Sequence, residues 1–423
     1  MKKILIRLLA GSMLAAGSLA AGAATMDITA SFTPSVSNPE NNTFTNTTPL
    51  SGFCADWPTS CTNNNTSISF AGITLLGNGV LLSDDSNPKN HFYLGLPGAT
   101  KVDVVNSETQ EKAQITFTIT GFGGRWTNLG SGARIGWERG EFAYPTNLPC
   151  GSATNGASIG TGSGSDSTWY GWAWNVSGAC YKRSTYTGRT ITSSNLYQTS
   201  IRYKLVTPNP LQLTSGIYKG YVDWSIGPGG DIDFGNKWDA SDSTLRVNFT
   251  LSVNHELKLS TTADDQQVSL QPCASGKVCT AEEGAANWER WMITRATPEL
   301  TGRSNFNLSS SGAFTVYMEC EQQSGSDCAL KSDNTPSQTV PVQSLLTLPR
   351  GIVDSSTGST VTKRRLAVGR DLTKNVFVTK SFAENQAGSI DFLVSQKDVD
   401  TMLKTRPDTY RGAVTVIFDP KIY

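Results

Sequence analysis

The sequence predicts an all-β fold: two β-sandwich domains in tandem, the second lacking its last strand. Three observations carry this expectation. Apolar residues alternate over strand-length stretches, helix patterns are few, and the chain stops one strand short of completing an internal echo. Because successive side chains of a strand point to opposite faces, an apolar residue at every second position marks a half-buried strand.

The chain opens with Lys2, Lys3 and Arg7, followed by an apolar stretch from Leu8 to Ala21 and the small residues Ala21-Gly22-Ala23-Ala24. This order of basic, apolar and small residues predicts a signal peptide over 1–24, the apolar run being shorter than the ~20 residues of a membrane-spanning helix. The expected mature chain is exported through the periplasm and soluble. Its length suits two or three domains. Charged residues make up 17% of the sequence, and Lys+Arg and Asp+Glu balance at 35 each. Net charge therefore gives no argument for a nucleic-acid partner or an anionic membrane.

All eight cysteines follow the predicted leader: Cys54 and Cys61, Cys150 and Cys180, Cys273 and Cys279, Cys320 and Cys328. An even count in an exported chain implies disulfides, and the neighbouring positions favour four sequential pairs, although sequence does not fix connectivity. Zinc is the rival reading. Ligand spacing of the C-x2-C type is absent and histidine is limited to His91 and His255. No cofactor or metal is expected.

Along the chain, Ala113 to Phe122 alternates, with Ile115, Phe117 and Ile119 on one face and Thr116, Thr118 and Thr120 on the other. Shorter strands are expected at Val376 to Val378 and Ile390 to Leu393. The best helix signal is Ser395-Gln396-Lys397-Asp398, a capping pattern opening a short helix through Leu403. From Leu245 to Leu259 the apolar residues Leu245, Val247, Phe249, Leu251, Val253, Leu257 and Leu259 alternate with polar ones. One strand over that span would reach ~50 Å, against the usual ~17–20 Å. Two strands with a break near Asn254-His255-Glu256 fit better. This divides the chain into an N-terminal domain, 25–255, and a C-terminal domain, 256–423.

An internal echo supports the division. Gly216 to Ile226 contains Tyr218-Lys219-Gly220 before an alternating strand, and Asp408 to Phe418 contains Tyr410-Arg411-Gly412 before another. After the first copy comes the strong strand Leu245 to Val253. After the second the sequence ends within five residues. A shared plan leaves the second domain without its final strand, with Val414, Val416 and Phe418 lining an apolar groove. Such an edge must be completed by another chain. The alternative is an ordinary sandwich whose last strand is terminal.

These features resemble the tip adhesins of class 5, or alpha-type, chaperone–usher fimbriae, the family that includes cable-pilus initiator proteins. The likeness lies in Ser51-Gly52-Phe53-Cys54 with Cys61, in Cys150 with Cys180, and in Leu245 to Val253 running directly into a following domain. Asn287-Trp288-Glu289-Arg290 and the alternation from Tyr410 to Phe418 resemble segments of the family's pilin domain. The resemblance implies two immunoglobulin-like domains, the first binding a host-surface receptor and the second an incomplete pilin-type sandwich. It implies four classes of partner: a periplasmic pilus chaperone, an outer-membrane usher, a major pilin subunit supplying the donor strand, and a receptor, expected to be a glycan. It places the protein at the cell surface, at the fimbrium tip. Ile226-Gly227-Pro228-Gly229-Gly230 lacks the paired arginines that family members can carry on a late adhesin-domain strand, so a shared ligand is not implied.

Eight of the ten tryptophans fall in the first domain. The densest cluster is Trp169-Tyr170-Gly171-Trp172-Ala173-Trp174, after the Gly/Ser-rich run Gly151 to Ser167. Strand alternation puts Tyr170, Trp172 and Trp174 on one face, where they either stack on sugar or pack in the core. A second candidate interleaves Arg125, Trp126, Arg134, Trp137 and Arg139, with a solvated surface as its alternative. Enzymatic readings are weaker. Only His91 and His255 are available to a Ser-His-Asp arrangement, and Asp231 and Asp233, the one D-x-D after a glycine turn, are weak evidence for the carboxylate pair of a secreted carbohydrate-active enzyme. A further alternative is a structural shaft pilin. Met26, Ile28, Ala30 and Phe32 alternate as a free donor strand would, although the first strand of the N-terminal domain is the expectation.

Overall fold

The computed structural model describes residues 24–56, 66–70, 73–82, 84–127, 167–173, 178–182, 189–190, 195–371 and 373–420. The main strands of the first half are β1 (Ala24–Phe32), β2 (Thr100–Asn106), β3 (Lys112–Thr127), β4 (Ser167–Ala173), β5 (Asn195–Val206), β6 (Gly216–Ser225) and β7 (Thr244–Val253). They belong to one sheet with the neighbour order β5-β3-β2-β6-β7-β1, and β4 adds to β3. This sheet folds onto itself. In a flat sheet, β3 and β7 would lie three strand spacings apart, about 14 Å at ~4.8 Å each. Yet the rings of Phe117 on β3 and Phe249 on β7 are 5.3 Å apart. The two ends of the sheet therefore face each other across a core, as in a sandwich.

The alternation in β7 is what buries it. Leu245, Val247, Phe249, Leu251 and Val253 are each at most 1% exposed. β7 pairs antiparallel with β6 over ten positions and parallel with β1 over nine. β1 buries Ala24, Met26, Ile28, Ala30 and Phe32 in the same core. This is the first strand of the N-terminal domain, as expected, and the alternative of a free donor strand at 26–32 does not hold. A segment with a neighbour at every residue and one apolar face in the core is not available to another chain.

The second half contains β8 (Leu257–Ser260), β9 (Gln271–Cys273), α1 (Ala281–Thr294), β10 (Glu299–Ser310), β11 (Ala313–Cys320), β12 (Asp327–Ser332), β13 (Thr339–Thr347), β14 (Ile352–Asp354), β15 (Phe377–Thr379), β16 (Ala383–Val394), α2 (Gln396–Leu403), β17 (Tyr410–Arg411) and β18 (Val414–Asp419). One sheet runs β8-β10-β16-β13-β12, with β9 also on β10 and β17 on β12; the other runs β14-β15-β11-β18. Phe306 of the first sheet meets Phe418 of the second at 5.3 Å, so the two pack face to face. Their core, which includes Phe314, Val316, Met318, Val342, Leu346 and Phe377, shares no buried residue with the first. The chain is all-β, built as two sandwiches. Cys273–Cys279 and Cys320–Cys328 are bonded, with Cα separations of 5.8 and 5.3 Å. Cys54 is disulfide-bonded. Cys61 and Cys150 lie outside the described residues, as does the side chain of Cys180.

Two helices stand beside these sheets. α2 begins where the capping pattern put it, with Ser395 Oγ accepting from the Asp398 amide. α1 is a longer helix that the sequence reading did not single out. Thr280 and Glu283 form a reciprocal capping box at its start, and Arg295 closes it in a left-handed conformation. Its one fully buried residue is Gly284. Hydrophobic periodicity, the usual mark of a helix, therefore had little to register.

β7 and β8 are separated by Asn254-His255-Glu256, and His255 bolts the two halves together. Its Nε2–H donates to the Leu213 carbonyl at 2.8 Å, and Nδ1 faces Ser311 Oγ at 3.2 Å. Its ring meets Phe32 edge-on at 5.7 Å. Burial lowers its pKa below the ordinary histidine value, against the opposing pull of the Leu213 and Pro210 backbone and of the Glu111 carboxylate. The neutral ring is the folded form, so its contribution is complete above pH ~6.5 and is lost as pH falls through the lowered folded value. Acidification from about pH 7.5 to 5 is expected to lower the protection of amides 213–215 and 311–312 relative to their intrinsic exchange rate at each pH, read by mass spectrometry. His255→Phe should remove that pH dependence. Equal acid sensitivity in the variant would refute the assignment.

Candidate functional site

The two copies of the internal echo occupy equivalent places. Tyr218 pairs with Asn106 and Lys219 with Val105 on β2; Tyr410 pairs with Ser332 and Arg411 with Lys331 on β12. The following glycines explain themselves in the same way. A Cβ on Gly220 would sit 2.3 Å from the Asp103 carbonyl oxygen, and one on Gly412 would sit 2.6 Å from that of Ala329. Each tyrosine hydroxyl reaches back along the chain, Tyr218 to the Thr214 carbonyl at 3.0 Å and Tyr410 to Thr405 Oγ1 at 2.8 Å. This is the corner geometry found at the same point of immunoglobulin-type sandwiches.

Beyond the corner the two copies diverge. β6 is covered by β7 along its whole length. β18 pairs with β11 from Val414–Cys320 to Asp419–Thr315 and is the terminal strand of its sheet. Among the described residues no strand lies on its other side. Val414, Val416 and Phe418 pack against the second core but stay half-buried, whereas every inward residue of β7 is fully buried. β8 and β9 form the facing edge of the other sheet, where Leu257 and Leu270 are also half-buried.

The aromatic candidates lie on β3 and β4. Antiparallel pairing sets Trp172 opposite Phe122, Tyr170 opposite Gly124, Trp169 opposite Arg125 and Thr168 opposite Trp126. The two clusters separated in sequence thus meet in one strand pair. Opposed residues share a sheet face, so Tyr170 and Trp172 hold register positions on the face of Phe122, whose side chain is fully buried. Arg125 and Trp169 hold positions on the other face, with Tyr197 of β5 opposite Arg125 on its far side. Arg134, Trp137, Arg139 and Trp174 lie outside the described residues, as do the side chains of Arg125, Tyr170 and Trp172.

The acidic pair of the enzymatic reading is engaged in turn structure. Asp233 is 4% exposed, bonds Lys89 Nζ at 2.7 Å, and accepts from the amides of Gly229 and Gly235. Asp231 accepts from the hydroxyl and amide of Ser225, and those bonds lower its pKa from the ordinary carboxylate value. Both carboxylates brace the 225–235 turn. His91, 1% exposed, bonds the Asp85 carbonyl through Nε2 and stacks on Tyr181.

Neither a family model nor a curated protein sequence matches the chain. Solved structures similar to it include the following three. A chaperone–tip adhesin complex of CFA/I fimbriae shows 12% identity, covers 94% of this chain and 97% of its own, and gives a TM-score of 0.25. CfaE, the adhesive subunit of the CFA/I fimbria of enterotoxigenic Escherichia coli, shows 10% identity over 94% of this chain and 92% of its own, with a TM-score of 0.23. The CsuC–CsuE chaperone–tip subunit complex of the archaic chaperone–usher Csu pili of Acinetobacter baumannii shows 9% identity over 94% and 99%, with a TM-score of 0.20. At these identities and TM-scores the likeness carries no residue-level correspondence. All three are tip or adhesive subunits of fimbriae or pili, two of them in complex with a chaperone, matched along 92–99% of their own length.

Proposed function

We propose that this protein is the adhesive tip subunit of a chaperone–usher fimbria. Residues 25–255 form its receptor-binding domain, and residues 256–423 form a pilin domain completed by a strand from the next subunit. The observation that carries this reading is the contrast between β6, closed by β7, and β18, whose outer edge has no described strand. An open edge beside half-buried apolar residues favours pairing with another chain. A periplasmic chaperone would protect the edge before assembly, an outer-membrane usher would export the subunit, and a major pilin would then fill the place permanently. The engagement of β1 within the first sandwich supports the tip position, because a subunit without a free N-terminal strand ends a fibre rather than extending it.

The receptor face is proposed on β3, β4 and the segments flanking them: Arg125, Arg134, Trp137, Arg139, Tyr170, Trp172 and Trp174. Aromatic faces and arginine donors together suit a glycan, which makes the first domain a binding module and not an enzyme. One experiment on fimbriated cells tests both halves. Immunogold against this chain is expected only at fibre ends. Val416→Arg should abolish that label, while Arg134→Ala should keep it and lose host-cell binding roughly tenfold or more. Label along the shafts, or normal tips carrying Val416→Arg, would sink the proposal.

A further inference from the structure

Helix α1 sits where a strand filling the place beside β18 would leave the domain. The direction of such a strand follows from the first sandwich. There β7 lies between β6 and β1, antiparallel to the former and parallel to the latter. β18 takes the part of β6, and β8 with β9, the first strands of their sandwich, take the part of β1. An inserted strand with the polarity of β7 therefore starts near Leu257 and Asp419 and ends near Cys273 and Val414. Both rims of the opening meet α1 at that end. On the β9 side, Asn287 Nδ2 donates to the Pro272 carbonyl at 2.8 Å and Gly284 packs on Gln271. On the β18 side, the Arg406 guanidinium, just ahead of β17, lies 5.3 Å from the Trp291 ring.

The last turn of the helix exposes two large apolar side chains, next to the exposed Glu289 and Arg290. Met292 is 56% exposed and Ile293 85%. The first sandwich shows what arrives at this end. β7 runs, after only three residues, into the body of the next domain, and His255 in that connection ties the loop before β6, at Leu213 and Ser215, to Ser311 of the next domain. We propose that the Met292–Ile293 face of α1 docks on the globular body of the subunit that donates the strand beside β18. The inference rests on the strand-donation reading above and adds a second contact to it. The connection leaving the opening is continuous with the donated strand, so the body it leads to is held against α1, and burying two exposed apolar side chains there stabilises the junction. A donated strand alone leaves the subunits free to swing; the helix contact fixes their angle.

Photo-crosslinking residues placed singly at 293 and 416 of the full chain, in fimbriae assembled by the native host, separate the two claims. Position 416 is expected to capture the N-terminal segment of a neighbouring subunit, and position 293 a residue later in that same protein. Ile293→Glu should reduce the fraction of this chain recovered in fibres roughly tenfold while leaving the 416 crosslink in those that form. Capture at 416 with none at 293, or of a different protein at 293, overturns the helix contact and leaves strand donation standing. No capture at 416 overturns both.

Discussion

Appending a copy of Thr244–Val253 to the C-terminus raises the unfolding temperature of the second sandwich by roughly 10–20 °C. A short connection after β18 returns the added strand antiparallel to it, as in a hairpin. In its native place this segment buries five apolar side chains between β6 and β1. Beside β18 it would cover Val414, Val416 and Phe418. Burying those five side chains is worth about 1.5–3 kcal/mol each, and fixing ten residues costs about 1–2 kcal/mol apiece. With about 1 kcal/mol from each of roughly nine new backbone hydrogen bonds, to β18 on one side and to β8 and β9 on the other, the net is on the order of 5 kcal/mol. At 2–4 °C per kcal/mol for a domain of this size, calorimetry resolves the shift easily. The control is the same strand offset by one residue, which turns its polar face inward and should give little. Equal shifts from both, or from neither, would mean that β18 has no vacant partner position.

The second large effect separates the two cores. Phe117 is fully buried, with Tyr203, Trp224 and Phe249 around it at 5.2–5.7 Å between ring centroids. Phe117→Ala removes the ring on which both ends of the folded sheet close, at a cost of about 3–5 kcal/mol. Because the buried clusters share no residue, only one of two calorimetric transitions should move, falling by roughly 6–20 °C. The transition raised by the appended strand should stay where it is in the wild-type protein. A single transition that falls as a whole would show the halves unfolding as one unit and would refute the boundary at 255/256.

How much of this the amino-acid sequence discloses depends on the range of the physics involved. Alternation is local, so β7, the break at 254–256 and β8 are legible directly. The corner tyrosines are legible as an echo because both copies meet the same constraint, a glycine against a neighbouring carbonyl. The partner of β1 is not, since its parallel neighbour lies more than two hundred residues away and no local pattern names it. α1 was missed for a different reason. It is held by its cap and by β9 and not by an apolar stripe, and the Thr280…Glu283 signature was the one mark it left. The aromatic clusters show a third limit. Each is visible in sequence, but only strand register reveals that Arg125 and Trp169 stand opposite one another while Trp172 shares the side of Phe122.

The parallel seam between β1 and β7 has a mechanical consequence. In the proposed role, tension between a receptor held by the first sandwich and a fibre held by the second loads β7 lengthwise, from its C-terminal end at Val253. Rows of bonds on both flanks then slide against the pull together and are not peeled one after another. That arrangement resists tension collectively, as a joint under steady pull in that role requires.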